Sequence, residues 1–218
     1  MSQRVLTEKE LEERYGDEEV YVVEKGALSF LSEGINCLPI TTVDLFLKTT
    51  LEKGFFVRRS KAEYNPAYYQ IVPYVVIRCG EKYFAIHRLN GDVRIVGKIS
   101  IGVGGHINPV DFDPERKEIV FSNNVIRELY QEELHIDLLK TTGFRYAGVI
   151  KYTHPEDLLS KDHIGLLCVL TTTDDKVEVK EKDSFTGRFY SRAEILEHRK
   201  GSESWARLVI EMIAVGLI

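Results

Sequence analysis

Gly104-Gly105-His106-Ile107-Asn108, followed by Arg127-Glu128-Leu129-Tyr130-Gln131-Glu132-Glu133-Leu134-His135-Ile136, is the stretch on which the reading of this chain turns. The first block closes a β-branched run with paired glycines, and the second spaces carboxylates for one face of a helix. Side chains three and four apart share a helical face. Glu128, Gln131 and Glu132 therefore form one stripe, and Val125, Ile126, Leu129 and Leu134 form the apolar one. Like charges at that spacing repel by about 0.2–0.5 kcal/mol in an isolated helix. Relief comes either from Arg127 and solvent, as on most acidic helix faces, or from a bound hard cation such as Mg²⁺.

Together the two blocks resemble the signature of the Nudix (MutT-like) hydrolases, G-x5-E-x7-R-E-U-x-E-E-x-G-U, with U a bulky aliphatic residue. Gly105 matches the opening glycine, Arg127 and Glu128 the R-E pair, Leu129 the U, and Glu132 the second glutamate of the E-E pair. Between Gly105 and Arg127 lie 21 residues where the motif has 13, so the segment 109–121 carries an insertion. Its glutamate nearest the motif spacing, Glu118, stands one place too far from Arg127. Without a gap in the helix, Gln131 replaces the first glutamate of the pair, and Leu134 and His135 stand at G-U. With one residue inserted after Leu129, Glu132 and Glu133 become the pair and His135-Ile136 the G-U. The ungapped register is preferred, because an extra residue turns everything beyond it by about 100 degrees on an α-helix. Glu128 and Glu132 are ligand candidates in both registers.

The resemblance implies a Mg²⁺- or Mn²⁺-dependent enzyme. It would hydrolyse a nucleoside diphosphate linked to another moiety, with water attacking phosphorus. On that likeness Glu128, Glu132 and Gln131 would hold the metal, and Glu132, Glu128, Glu133 and Arg127 would form the catalytic set. Gly104 and Gly105 would let the backbone approach a metal or phosphate that a Cβ would obstruct. Arg127 would pair with a glutamate, for which Glu118 is available, and Glu133, Glu178 and Glu181 are candidates for the general base. His106, His154 and His163 titrate in a useful range. His163 follows Asp162, although alternation in a strand sends neighbouring side chains to opposite faces. Two other readings stay open. In one, the chain is a Nudix-fold ligand-binding or regulatory module whose catalysis is weakened by the enlarged loop and the neutral Gln131. In the other, it is an interaction protein with a merely solvated acidic helix.

The flanks fit the same resemblance. Residues 74–87 read as a hairpin about Gly80, and Val93-Arg94-Ile95-Val96 and Ile99-Ser100-Ile101-Gly102-Val103 as short strands. His163-Ile164-Gly165-Leu166-Leu167-Cys168-Val169-Leu170 reads as a buried strand, and 187–195 as a late strand entering a helix. A final helix over 204–213 presents Trp205, Leu208, Val209 and Met212. The expected fold is α/β (α+β), a mixed β-sheet sandwiched between helices over residues 70–218, behind an N-terminal extension of residues 1–69. In that extension Thr7 and Glu10 form a capping box, Val20 to Val23 a strand, and 42–51 a helix, with a turn at Asn65-Pro66.

With 218 residues, 44% of them hydrophobic, the chain can bury a core of its own. A formal charge of −5 argues against broad nucleic-acid binding; the small nucleotide-type substrate is what the resemblance implies. Arg58, Arg59 and Lys61 near Phe55, Phe56, Tyr64, Tyr68 and Tyr69 suit either base stacking with phosphate or a domain seam. Cys37, Cys79 and Cys168 are odd in number and widely spaced, which reads as buried thiols in a reducing compartment. No signal peptide or apolar run of roughly 20 residues is seen, so a cytoplasmic, membrane-free location is expected. The family likeness is compatible with a homodimer.

Overall fold

The computed structural model describes residues 4–36, 41–90, 96–153, 160–180 and 182–218. Cys37, His154, Glu181 and nearly all of the strand expected at 93–96 lie outside them. Thr7 opens helix α1 (Glu8–Tyr15): its hydroxyl accepts from the Glu10 N–H, and Glu10 reaches back to the Thr7 N–H, the reciprocal cap read from the sequence. Then follow β1 (Glu19–Glu24), β2 (Gly34–Asn36), α2 (Thr41–Lys53), β3 (Phe55–Arg58) and α3 (Arg59–Ala62). β4 (Tyr68–Cys79) and β5 (Lys82–Arg88) form the expected hairpin, with Gly80 at φ +57°, a conformation that suits glycine. The run at 99–103 divides into β6 (Ile99–Ser100), paired with β5, and β7 (Gly102–Val103), paired with β4.

Helix α4 (Val120–Ile126) leads into a π-helical segment, Arg127–Glu133, and β8 (Leu134–His135). The chain continues through β9 (Thr141–Lys151), β10 (His163–Thr172), β11 (Glu178–Val179) and β12 (Phe185–Ser191). Ser191 and Glu194 make a second capping box at α5 (Arg192–Glu197). The last helix, α6 (Ser204–Ala214), buries Trp205, Val209 and Met212 as expected; Ile210 and Ile213 complete its apolar face, and Leu208 is only half-buried.

The residues form two compact units: Gly105–Asn124 and Gly148–Leu166 with everything up to Pro73, and Tyr74–Gly104, Val125–Ala147 and Leu167–Ile218. Strands β4, β9 and β10 contribute to both, and β10 lies between β4 and β9 in strand order. In the first unit β1 is flanked by β3 and the start of β4, with Val22 opposite Gln70, and Val20, Val22 and Ala62 fully buried. Residue 70 thus sits inside β4, and Tyr68 and Tyr69 before it pair with Glu24 and Val23. In the second unit β5 is flanked by β12 and β4, and β8 pairs with β11. The pairs β1–β3, β1–β4, β2–β9, β4–β5, β4–β7, β5–β6, β5–β12 and β8–β11 are antiparallel, and an isolated bridge from Ile99 to Ser202 is parallel. The chain is therefore α+β with a large, mainly antiparallel sheet.

The basic and aromatic cluster of the first unit serves packing. Arg59 makes a two-oxygen pair with Glu18 at 3.0 and 3.1 Å and lies over the Tyr15 ring; Arg58 pairs with Asp17, and Lys61 with Glu8 and Glu12. Phe55 meets Tyr68 edge-on, and Phe56 meets Phe112 edge-on and Tyr21 at a tilt. Of the cysteines, Cys168 is buried, which pushes its thiol far above the usual range, whereas Cys79, at the end of β4 beside the turn, is half-buried rather than buried. Among the described residues no helix is long and apolar enough to cross a membrane.

Candidate functional site

Gly104 and Gly105 occupy an irregular, half-buried loop after β7, and β7 itself lies against the segment Arg127–Glu133. Close packing there requires Gly102: a Cβ on it would stand 2.2–2.5 Å from the Tyr74 ring. Tyr74 is fixed in turn by its hydroxyl, which donates to Glu203 Oε1 at 2.6 Å, and by the edge of Trp205.

The Arg127–Glu133 segment differs from the expected α-helix. Its i→i+5 closure adds a residue to the turn, which is how helices absorb a one-residue insertion. The 100-degree rotation that favoured the ungapped register belongs to a 3.6-residue helix and does not apply beyond Ile126. Of the expected apolar stripe, Val125, Leu129 and Leu134 are buried, while Ile126, the last residue of α4, is 45% exposed.

Within this turn Glu128 is buried, only 6% exposed. Its Oε1 lies 2.8 Å from Arg127 Nη1, and the same nitrogen reaches Glu132 Oε1, five residues on, at 3.0 Å. Burial, aided by the nearby charges of Glu132 and Glu133 and opposed by Arg127, pushes the Glu128 carboxyl up to about 7. Glu132 is exposed, Glu133 half-buried, and Gln131 exposed. Arg127 thus pairs with Glu128 and Glu132, and the charge of Glu133 bears on Glu128; carboxylate oxygens are the donors that suit Mg²⁺ or Mn²⁺. Among the described residues no three His, Cys, Asp or Glu side chains already converge as a metal-ligating group.

Lys180, which the sequence reading passed over, anchors the turn. Its Nζ donates to the carbonyls of Tyr130 and Gln131 at 2.7 and 2.9 Å, and its N–H to the Glu133 carbonyl at 2.8 Å. These are the carbonyls left over at a helical C-terminus, where a cation is also favoured. Glu178, a candidate base, sits on β11 and pairs with Lys182 at 3.3 Å. Glu118 pairs with Arg116 at 3.9 Å.

In the first unit the enlarged loop is ordered by buried polar groups. Asp111, 2% exposed, accepts from the Asn108 N–H and from Asn124 Nδ2, and Asn124 Nδ2 also donates to the His106 carbonyl. Tyr21 N–H donates to the Ile107 carbonyl at 2.9 Å. Asp162 and His163 are bonded, not turned apart: Asp162 lies in the bend before β10, so strand alternation does not govern it.

No protein-family model matches the chain. Protein YmaB of Bacillus subtilis (strain 168) is 32% identical over 162 residues, which span 72% of this chain and 77% of YmaB. Among solved structures, Tm1382, a candidate Nudix hydrolase, superposes with a TM-score of 0.74 at 24% identity, over 92% of this chain and 100% of Tm1382. That span is longer than residues 70–218 and so includes part of the first 69 residues. The chain belongs to the same family as YmaB and has the Nudix hydrolase fold.

Proposed function

We propose that the chain is a divalent-metal-dependent pyrophosphohydrolase that cleaves a nucleoside diphosphate from a second moiety by water attack at phosphorus. The observation that carries this reading is the buried carboxyl of Glu128, held with Glu132 and Glu133 on a widened turn beside the strand that enters Gly104-Gly105. In this assignment the extra residue is taken up by the π turn, Glu132-Glu133 is the acidic pair of the motif, and Glu128, Glu132 and Glu133 hold the cation. Gln131 drops out of the ligand set. A bound Mg²⁺ or Mn²⁺ would neutralise phosphate charge and acidify a coordinated water. Arg127 orients Glu128 and Glu132 from a single nitrogen, and Lys180 fixes the backbone that carries them. The glycine loop gives diphosphate oxygens access to backbone N–H groups.

Phosphate-product release from sugar nucleotides, dinucleotides, coenzyme derivatives and oxidised nucleotides, with Mg²⁺ or Mn²⁺, tests the reading. Metal-dependent turnover that falls at least 100-fold in Glu132→Gln supports it. Tight nucleotide binding by the native chain without turnover identifies a regulatory module instead, and neither response overturns both.

A further inference from the structure

Beside the segment that enters β4, the first unit holds a cavity of about 460 Å³, within the size range of small-molecule sites. Val5, Tyr64 and Pro66 give it apolar wall, and Lys25, Lys161 and Asp162 give it charge. Strand pairing brings these groups together. β1 pairs with the start of β4, and just beyond β1 the Lys25 N–H donates to the Ala67 carbonyl at 2.8 Å. The Gln70 N–H donates at 2.7 Å to the carbonyl of Asp162, the residue before β10, which adjoins β4. The Lys25 ammonium lies over the Tyr69 ring, 4.7 Å from its centroid, and donates to the Lys161 carbonyl at 2.7 Å.

Positive charge is in excess here. Both oxygens of the Asp162 carboxylate are engaged, Oδ1 with His163 Nδ1 at 2.8 Å and Oδ2 with the Tyr64 N–H. Tyr64 stands at φ 59°, uncommon for a bulky residue, so tertiary contacts and not local preference set that wall. Close by, Lys151 Nζ lies 3.7 Å from Glu33 Oε1, and Glu33 also accepts from the Thr153 N–H and hydroxyl. That pair is matched within itself. Lys25 and Lys161 thus share a cavity with one carboxylate that already accepts two hydrogen bonds. Burial pulls the Lys25 ammonium below its ordinary value; Asp162 opposes the shift, and the charge of Lys151 adds to it. Of the three N–H donors of an ammonium, the Lys161 carbonyl takes one. A phosphate monoester carries close to two negative charges and three acceptor oxygens, which suits two lysines. A bare phosphate needs only the room of a few waters, each about 30 Å³, so the cavity and its apolar wall call for an organic body as well.

We propose that this cavity binds a small organic phosphate monoester, with Lys25 and Lys161 taking the phosphate and Tyr64 and Pro66 facing the organic body. The site lies wholly in the first unit and uses no group of the acidic turn, so it stands or falls apart from the hydrolase reading. Calorimetric titration of the full-length chain with phenyl phosphate, ribose 5-phosphate and adenosine monophosphate tests it, in EDTA so that no divalent cation assists. At least one ester should bind at a single site with Kd below about 1 mM, and at least about tenfold more tightly than inorganic phosphate. Lys161→Met should weaken that binding about tenfold or more, Lys161→Arg should keep it within about threefold, and Glu132→Gln should leave it unchanged. Lys25→Met also removes the bond to the Lys161 carbonyl, so Lys161→Met, whose ammonium takes no part in that bond, is the decisive variant. The proposal is overturned if no ester binds, if Lys161→Met binds as the native chain does, or if inorganic phosphate binds as tightly as the esters. Binding that requires Mg²⁺ or falls in Glu132→Gln would belong to the acidic turn and overturn it equally.

Discussion

The Glu128 carboxyl pays for its position. Its ordinary value of 4.5 rises to about 7 in the fold, so between those values the unfolded chain releases a proton that the folded chain keeps. Stability contributed by the neutral group is complete below about 4.5 and is lost as pH rises through 7, on the order of 3 kcal/mol at about 1.4 kcal/mol per unit. Metal-free native chain should therefore melt lower at pH 8 than Glu128→Gln, with the gap closing near pH 5 and saturating Mn²⁺ raising the native chain alone. Parallel melting curves at both pH values would contradict it. Glu132 is exposed, so Glu132→Gln should change stability by less than about 0.5 kcal/mol even where it abolishes turnover. Gly102→Ala forces a methyl into the Tyr74 ring and should cost about 1–3 kcal/mol in urea unfolding.

At the scale of elements, the π turn is what the proposed register rests on. An α-helix would carry the residues after an insertion to another face, whereas the i→i+5 turn takes up the extra residue and keeps Glu128, Glu132 and Glu133 within electrostatic reach of one another. That turn depends on Lys180. Lys180→Met removes the donors to two carbonyls, and the expected loss is about 1–2 kcal/mol. Amide exchange should quicken across Arg127–His135 while α6 keeps its protection. Uniform exchange in both segments would show that the turn holds itself.

For the molecule as a whole, residues 1–69 supply strands β1 and β3 of the first unit. β1 pairs along the start of β4 and buries Val20, Tyr21, Val22 and Val23. A chain truncated to residues 70–218 should lose cooperative thermal unfolding, because β4 is left with an uncovered edge and the apolar surface of Ile71 and Val72. A sharp melting transition in the truncated chain would refute this.

What the sequence determined by itself is the set of features made by neighbours along the chain. The Thr7 and Ser191 caps, the Gly80 hairpin, the apolar face of α6 and the arginine-glutamate block before Leu129 all follow from spacings of a few residues. Such spacings express backbone geometry directly. Tertiary structure decided the rest. His106 meets His163 across 57 residues, Lys180 reaches back 50, and Tyr64 meets Asp162 across 98. The depth at which Glu128 sits, and with it the character of its carboxyl, likewise comes from what folds over it. Periodicity carries no record of contacts made through space, because desolvation and hydrogen bonding depend on three-dimensional neighbours rather than on order in the chain.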